Sequence, residues 1–247
     1  MIVTYWLLTL LYICGISAKR AFSVSFLTGK SSKVNKGESR DLPVGLRNLA
    51  NTCYLNSVIQ SLANSDLVDV LNQCEIKSSS VGWHLKQVLQ KLANGERLLD
   101  TGPLAQSMGV DISIQEDAEE FLLNLLDKVS SSVVSKNKKV SVTSLFDFDI
   151  VQTIDCTRVN YSSTRKQKYT DISLDIGDSK HLSDCFSSFF KPELLKEDNL
   201  YKTSTHGYQE AIKSLSLAST PQELIVHLKR FSYDPDSNGY AKVSKCY

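Results

Sequence analysis

The spacing of apolar residues changes once along this chain, and the change limits the folds open to it. Up to about residue 130 apolar side chains recur at helical intervals; further on they alternate. Tyr54 is followed by Leu55, Val58, Ile59 and Leu62 on one helical face. The segment SIQEDAEEFLLNLLDKV, residues 113–129, lines up Ala118, Phe121, Leu122, Leu125, Leu126 and Val129 in the same way, with Gln115, Asp117 and Glu120 near its start. Such stripes must be buried against another element, so both segments predict core-facing helices. Later, QTIDCTRVNY, YTDISLDI and ELIVHLKRFSY carry the branched and aromatic residues that strands favour, bounded by turn residues. Helices gathered first and strands gathered later predict an α+β fold.

The 247 residues suffice for one sizeable core, and the globular texture begins at Asp41, so residues 42–247 read as one main domain. A single low-complexity piece, SSSVVSKNKKVS at residues 130–141, reads as a surface connection between the halves. A formal net charge of +1 gives no global bias towards nucleic acid.

The first 41 residues have a different character. IVTYWLLTLLYICGI, residues 2–16, is uncharged and apolar and precedes Ser17-Ala18, so residues 1–18 resemble a secretory leader cleaved near Ala18. The run is shorter than the roughly 20 residues that span a bilayer. Lys19, Arg20, Lys30, Lys33, Lys36 and Arg40 all follow it, and positive flanks stay cytoplasmic, so an uncleaved leader would contact the membrane through residues 2–16 and leave the chain facing the cytosol. A segment of the core is the third reading. Residues 19–41, basic and rich in serine, match either a transit segment or a flexible linker. Leader and transit segment together suit the secretory route and onward import into a plastid bounded by extra membranes.

Chemistry is concentrated in GLRNLANTCYLNSVIQSL, residues 45–62. The six cysteines are scattered and form no Cys-x-x-Cys pair, so they read as reduced thiols. Only Cys53 falls in the first turn of a predicted helix, with Asn51 or Thr52 available as N-cap. Unpaired N–H groups and the positive end of the helix dipole favour a thiolate there, which suits a nucleophile. Attack on a carbonyl also needs donors for the developing oxyanion, and the Asn48 amide can supply one beside the Cys53 N–H. A small buried hydrophobe at a helix start is the plainer alternative.

This segment resembles the Cys box of the ubiquitin-specific proteases, papain-like cysteine peptidases that release ubiquitin from lysine side chains or from other ubiquitins. The resemblance implies Cys53 as nucleophile and Asn48 as the oxyanion side chain. It also implies an α+β papain-like fold with a helical thumb and strand-rich fingers and palm. Ala50 stands where the family usually has glycine; if that position is left-handed, a Cβ costs about 1–2 kcal/mol. The QEDAEEF stretch resembles the family's Gln-Asp-Ala-x-Glu-Phe element, whose acids border the channel for ubiquitin's Arg-rich tail. The resemblance therefore implies Asp117 and Glu120 as tail-binding residues, because carboxylates take bidentate hydrogen bonds from arginine, with Gln115 as a further lining residue. TPQELIVHLKRFSYD, residues 220–234, is similar to the family's Leu-x-Arg-Phe strand, which makes Phe231 a wall of the channel and His227 a structural histidine.

Many members bind zinc through two Cys-x-x-Cys pairs. Here the first retains only Cys156, and the second is replaced by a segment with Thr203 and His206, which cannot complete the usual tetrahedral site. No metal and no cofactor is expected, and THGYQEAIKSLSLASTPQEL with QTIDCTRVNYSSTR resembles the zinc-free branch typified by the herpesvirus-associated ubiquitin-specific protease, whose fingers rest on packing alone. The Gly-His-Tyr-like segment with the general base is absent, and His84, His181, His206 and His227 lie in other contexts, so the sequence reads as truncated before that box, with an incomplete palm. Two functions follow: a deubiquitinase acting on ubiquitin and ubiquitinated proteins, which needs a histidine from elsewhere, or a ubiquitin-binding pseudo-protease or fragment. The resemblance by itself implies cytoplasm or nucleus.

Overall fold

The helical spacing of the first half takes shape as α1 (Cys53–Leu62), α2 (Leu67–Gln73), α3 (Val81–Ala93), α4 (Gly102–Met108) and α5 (Ala118–Ser132). The computed structural model describes residues 44–96, 98–134, 142–177, 179–234 and 239–242, and from residue 231 onward the backbone alone. The leader and the basic segment lie outside the described residues, among which no helix is long and apolar enough to cross a membrane.

The predicted stripe of α1 is the buried one: Leu55, Val58 and Ile59 are fully inaccessible. Tyr54 meets Phe121 of α5 edge to face, with ring centroids 5.3 Å apart. Helix α5 starts later than its sequence pattern predicts. The Asp117 carboxylate accepts from the Glu119 and Glu120 N–H groups at 2.7 and 3.2 Å, which caps the helix and leaves residues 113–117 as loop. The helix also runs through serines that read as surface connection. Ser130, Ser131 and Ser132 donate back to the carbonyls of Leu126, Asp127 and Lys128, so their hydroxyls are satisfied within the helix. Ser132 is buried against α3, where a Cβ on Gly82 would lie 3.0 Å from the Ser132 Cβ. The small pair sets the distance between the two helices.

A second compact unit begins at Phe146. It contains β1 (Phe148–Cys156), β2 (Ser162–Tyr169), β3 (Asp171–Asp175), α6 (Leu182–Phe189), β4 (Glu193–Leu195), β5 (Tyr201–Lys202), β6 (Tyr208–Gln209), β7 (Ala211–Leu217), β8 (Ile225–Lys229), β9 (Phe231–Asp234) and β10 (Gly239–Lys242). One antiparallel sheet has the order β2-β1-β7-β4. Strand β2, SSTRKQKY, carries no apolar alternation because it is an edge; Lys166 and Lys168 pair with Asp149 and Asp147 at 3.0 and 3.5 Å. The predicted strand ELIVHLKRFSY is divided at Arg230. Its first part, β8, lies parallel to β3 with Ile172 opposite Val226, and its second, β9, pairs with β10. Ile172, Leu174, Val226 and Leu228 are buried with Phe148, Ile150 and Cys185 of α6, and Cys185 is accordingly a core residue.

The β5–β6 ribbon, where the second pair of zinc ligands would fall, is closed by hydrogen bonds. Thr203, almost fully buried, donates through its N–H and its hydroxyl to the Gly207 carbonyl at 2.8 and 3.0 Å, and its Oγ1 accepts from the His206 N–H at 2.7 Å. Cys156 packs against the Ile154, Leu195 and Ala211 cluster, as does Tyr201. Hydrogen bonds as well as packing therefore hold this ribbon.

On the β3–β8 pair, the Ser173 hydroxyl lies 3.0 Å from Nδ1 of His227 and 3.3 Å from the Asp171 carboxylate. Burial pushes the Asp171 carboxyl above its ordinary value of 3.8, and the Ser173 hydrogen bond and the His227 charge pull against that. A raised native pKa means that ionisation favours the unfolded chain, so Asp171 costs stability at neutral pH and ceases to do so as pH falls through its raised native value towards 3.8. Asp171→Asn is therefore expected to raise the unfolding midpoint at pH 7, with an advantage that shrinks on acidification; urea melts at several pH values check this, and an advantage growing towards acid pH contradicts it.

Candidate active site

Cys53 is the first residue of α1 and is half-buried. Gln115 Nε2 donates to its Sγ at 3.8 Å. Neither expected cap acts as one. Thr52 stands at the N-cap without a side-chain capping bond; its hydroxyl donates to Asn48 Oδ1 at 3.0 Å and accepts from the Leu49 N–H at 3.1 Å. The Thr52 N–H also donates to Asn48 Oδ1, at 3.3 Å. Two consequences follow. The positive end of α1 is not neutralised by a Thr52 capping oxygen, and the Asn48 amide is oriented by its oxygen, so that its NH2 end is the part turned away from Thr52.

Asn51, the other expected cap, holds the neighbouring loop. Its N–H donates to the Ile112 carbonyl at 2.9 Å and its Nδ2 to the Ser113 carbonyl at 2.6 Å. Within that loop the Asp111 carboxylate accepts from the Ser113 N–H and hydroxyl at 2.9 and 2.6 Å, which holds it below the usual carboxylate range. Residues 111–117 are all exposed, so hydrogen bonds rather than burial fix this loop. It carries Gln115, read from the sequence as a channel-lining residue, to the Cys53 sulfur. Beside it, burial first and the Glu116 charge second push the Tyr54 phenol up to about 12. The Tyr54 hydroxyl is buried and forms no well-made hydrogen bond among the described residues, and Glu116 acts on it through its charge and, more weakly, through a poorly formed hydrogen bond.

Ala50 does not adopt the left-handed conformation that would have strained it; Ser79, Leu98 and Glu197 are the non-glycine residues with positive φ among those described. Asp117 is exposed and caps α5 through one carboxylate oxygen, a role the sequence reading did not assign. Glu120 is exposed in the first turn of α5. Phe231 opens β9 in the second unit, and its side chain lies outside the described ones. The histidines have local contacts: His84 lies edge to face against Trp83, the His181 N–H donates to Asp184, His206 is 2.8 Å from the Thr205 hydroxyl, and His227 meets Ser173.

Thus Cys53, Asn48 and Gln115 meet at one helix start. The family described as ubiquitin carboxyl-terminal hydrolase matches residues 44–246. The chain belongs to this family. It is 37% identical over 207 residues to ubiquitin carboxyl-terminal hydrolase 7 of Drosophila melanogaster, covering 81% of this chain and 18% of the relative. It is 32% identical over 212 residues to ubiquitin carboxyl-terminal hydrolase 5 of Schizosaccharomyces pombe, covering 83% of this chain and 19% of that relative. Ubiquitin C-terminal hydrolase 12 of Arabidopsis thaliana is 28% identical over 213 residues, again 83% and 19%. The chain spans less than a fifth of the length of these relatives.

Because the Asn51 side chain supplies one of the two bonds that tie the loop, Asn51→Ala is expected to raise hydrogen exchange across residues 110–116 while lowering stability by only about 1 kcal/mol, the scale of an ordinary hydrogen bond. Exchange mass spectrometry showing unchanged protection there would contradict this account of the loop.

Proposed function

We propose that this chain is the catalytic region of a cysteine-type deubiquitinase that hydrolyses the isopeptide or peptide bond after the C-terminal glycine of ubiquitin. The observation that carries the reading is the assembly at the start of α1: the Cys53 sulfur with the Gln115 amide 3.8 Å away, behind an Asn48 side chain oriented by Thr52. Family membership supports it.

In this reading the Cys53 thiolate attacks the glycine carbonyl carbon, forming the C–S bond while the carbonyl electrons move onto oxygen. The Asn48 NH2 group and N–H groups at the helix start hold that oxyanion. Its collapse breaks the C–N bond, the lysine amine leaves with a proton, and water then cleaves the thioester to give the ubiquitin carboxylate and the free thiol. The proton comes, on the family resemblance, from an imidazole. His84, His181, His206 and His227 are not assigned that role, since none lies in the Gly-His-Tyr-like context that the resemblance implies. Asp117, Glu120 and Phe231 bind the ubiquitin tail, the acids through its arginines. We place the chain in the zinc-free branch, supported by the hydrogen bonds of Thr203 where a second pair of ligands would stand.

In the full-length protein, Cys53→Ala is expected to abolish cleavage of a ubiquitin–amide reporter and capture of a ubiquitin C-terminal electrophile, while Asn48→Ala lowers kcat by about 10²–10³. Ubiquitin binding without turnover or capture in the parent protein would assign the chain to binding instead. The two acids separate by their second roles. Asp117→Ala should weaken ubiquitin binding and also cost about 1 kcal/mol of stability through the lost cap, whereas Glu120→Gln should weaken binding alone. Equal Tm losses for the two variants would contradict this assignment.

A further inference from the structure

One polar residue inside the apolar helix α1 has no place in the chemistry above. Asn56 lies one turn after Cys53, on the same side of the helix. Its Nδ2 donates to the Arg47 carbonyl at 3.1 Å, the carbonyl of the peptide that leads directly into Asn48. Its Oδ1 accepts from the hydroxyl of Thr101 at 3.2 Å, and Thr101 is completely buried. Residues 44–47 are held from the other side as well. The Arg47 N–H donates to the Leu99 carbonyl at 2.8 Å, the Leu99 N–H donates to the Gly45 carbonyl at 2.9 Å, and Gln60 Nε2 reaches the Val44 carbonyl at 2.8 Å. Asn56 is thus the member of this set that ties the last peptide before Asn48 to the helix bearing the nucleophile.

We propose that Asn56 is a positioning residue for the oxyanion donor: by fixing the Arg47–Asn48 peptide relative to α1 it sets where the Asn48 NH2 group stands with respect to Cys53. The geometry is a relay of two fixed points. Thr52 orients the Asn48 side chain from the C-terminal side, and Asn56 anchors its main chain from the N-terminal side. Neither atom of the Asn56 amide is interchangeable. An acceptor at the Nδ2 position would face the Arg47 carbonyl oxygen and repel it, whereas the Thr101 hydroxyl would keep its partner.

Asn56→Asp makes that change with almost no difference in shape. The proposal rests on the deubiquitinase reading for its kinetic arm, and its exchange arm is independent of that reading. In the full-length protein, Asn56→Asp should lower kcat for a ubiquitin–amide reporter by at least about tenfold, towards the roughly 10²-fold loss of removing an oxyanion donor, with KM and ubiquitin affinity unchanged. In an Asn48→Ala background the same substitution should cost nothing further, because its only route to the reaction has been removed. Thr101→Val, which breaks the other half of the bridge, should give a smaller loss with the same dependence on Asn48. An equal slowing by Asn56→Asp with and without Asn48 would overturn the proposal, as that is the mark of a general structural effect. Independently of turnover, exchange mass spectrometry of Asn56→Asp should show lost protection confined to residues 45–52; protection unchanged there, or lost throughout the helices, would overturn it also. If the parent protein does not cleave the reporter but the exchange result holds, it is the deubiquitinase reading that fails and not the placement of Asn56.

Discussion

The arrangement in front of Cys53 depends on a hydrogen bond between two side chains four residues apart. Thr52 is at the position where a hydroxyl ordinarily caps its own helix, and it bonds instead to the oxygen of Asn48. An ordinary cap would have satisfied one N–H of the first turn and reduced the pull of the helix end on an anion. Directed to Asn48, the same hydroxyl leaves that end uncapped by Thr52 and fixes which end of the amide faces outward. One bond thereby gives up a side-chain cap at the helix start and fixes the face that the Asn48 amide presents.

Around that bond the polar side chains of α1 and its approach act on backbone rather than on one another. Asn51 fixes the loop carrying Gln115 and Gln60 fixes Val44, each through a carbonyl. This matters because residues 111–117 are exposed and contribute little burial that could hold them. Buried area is non-directional and cannot choose among loop conformations of similar exposure, whereas an amide bonded to a particular carbonyl can. The second unit uses the same device in its β5–β6 ribbon, where Thr203 joins both sides of a tight turn through its N–H and hydroxyl. A ribbon of two strands is at best marginal without a hydrophobic face, and the three bonds made around one nearly buried threonine supply what a small core does not.

Sequence alone disclosed the features that depend on periodicity. The apolar faces of α1 and α5, the α+β order and the burial of Val226 and Leu228 in β8 follow from patterns of three to four or of two. Cys53 was legible because a helix start has a recognisable composition. Features decided by individual hydrogen bonds were not. Asp117 starts the helix at Ala118, inside the segment 113–129 read as helical, because an N-cap is a property of one side chain and not of a stripe. Strand β2 is polar throughout and becomes a strand by pairing with β1, not through its own pattern. The terminal serines of α5 look like a linker and are helical, since their hydroxyls close on carbonyls one turn back. Asn56 could have been noticed as a polar residue among Leu55, Val58 and Ile59, but its target, a carbonyl nine residues earlier, required the folded chain.

Asp117 shows how a helix start can join two requirements in one residue. One oxygen of its carboxylate accepts two N–H groups at the head of α5, which fixes the side chain's rotamer and brings its charge to the positive end of the helix. A carboxylate has acceptor capacity well beyond two N–H groups, so a capped aspartate retains lone pairs for a guanidinium. Because the cap has already immobilised it, little further side-chain entropy is lost when a cationic partner arrives, whereas Glu120, longer and outside the cap, must be ordered at that moment. In the proposed reading, the shorter, capped acid is thus the better preorganised of the two for an arginine-bearing tail, and the same bonds that start the helix hold it in place.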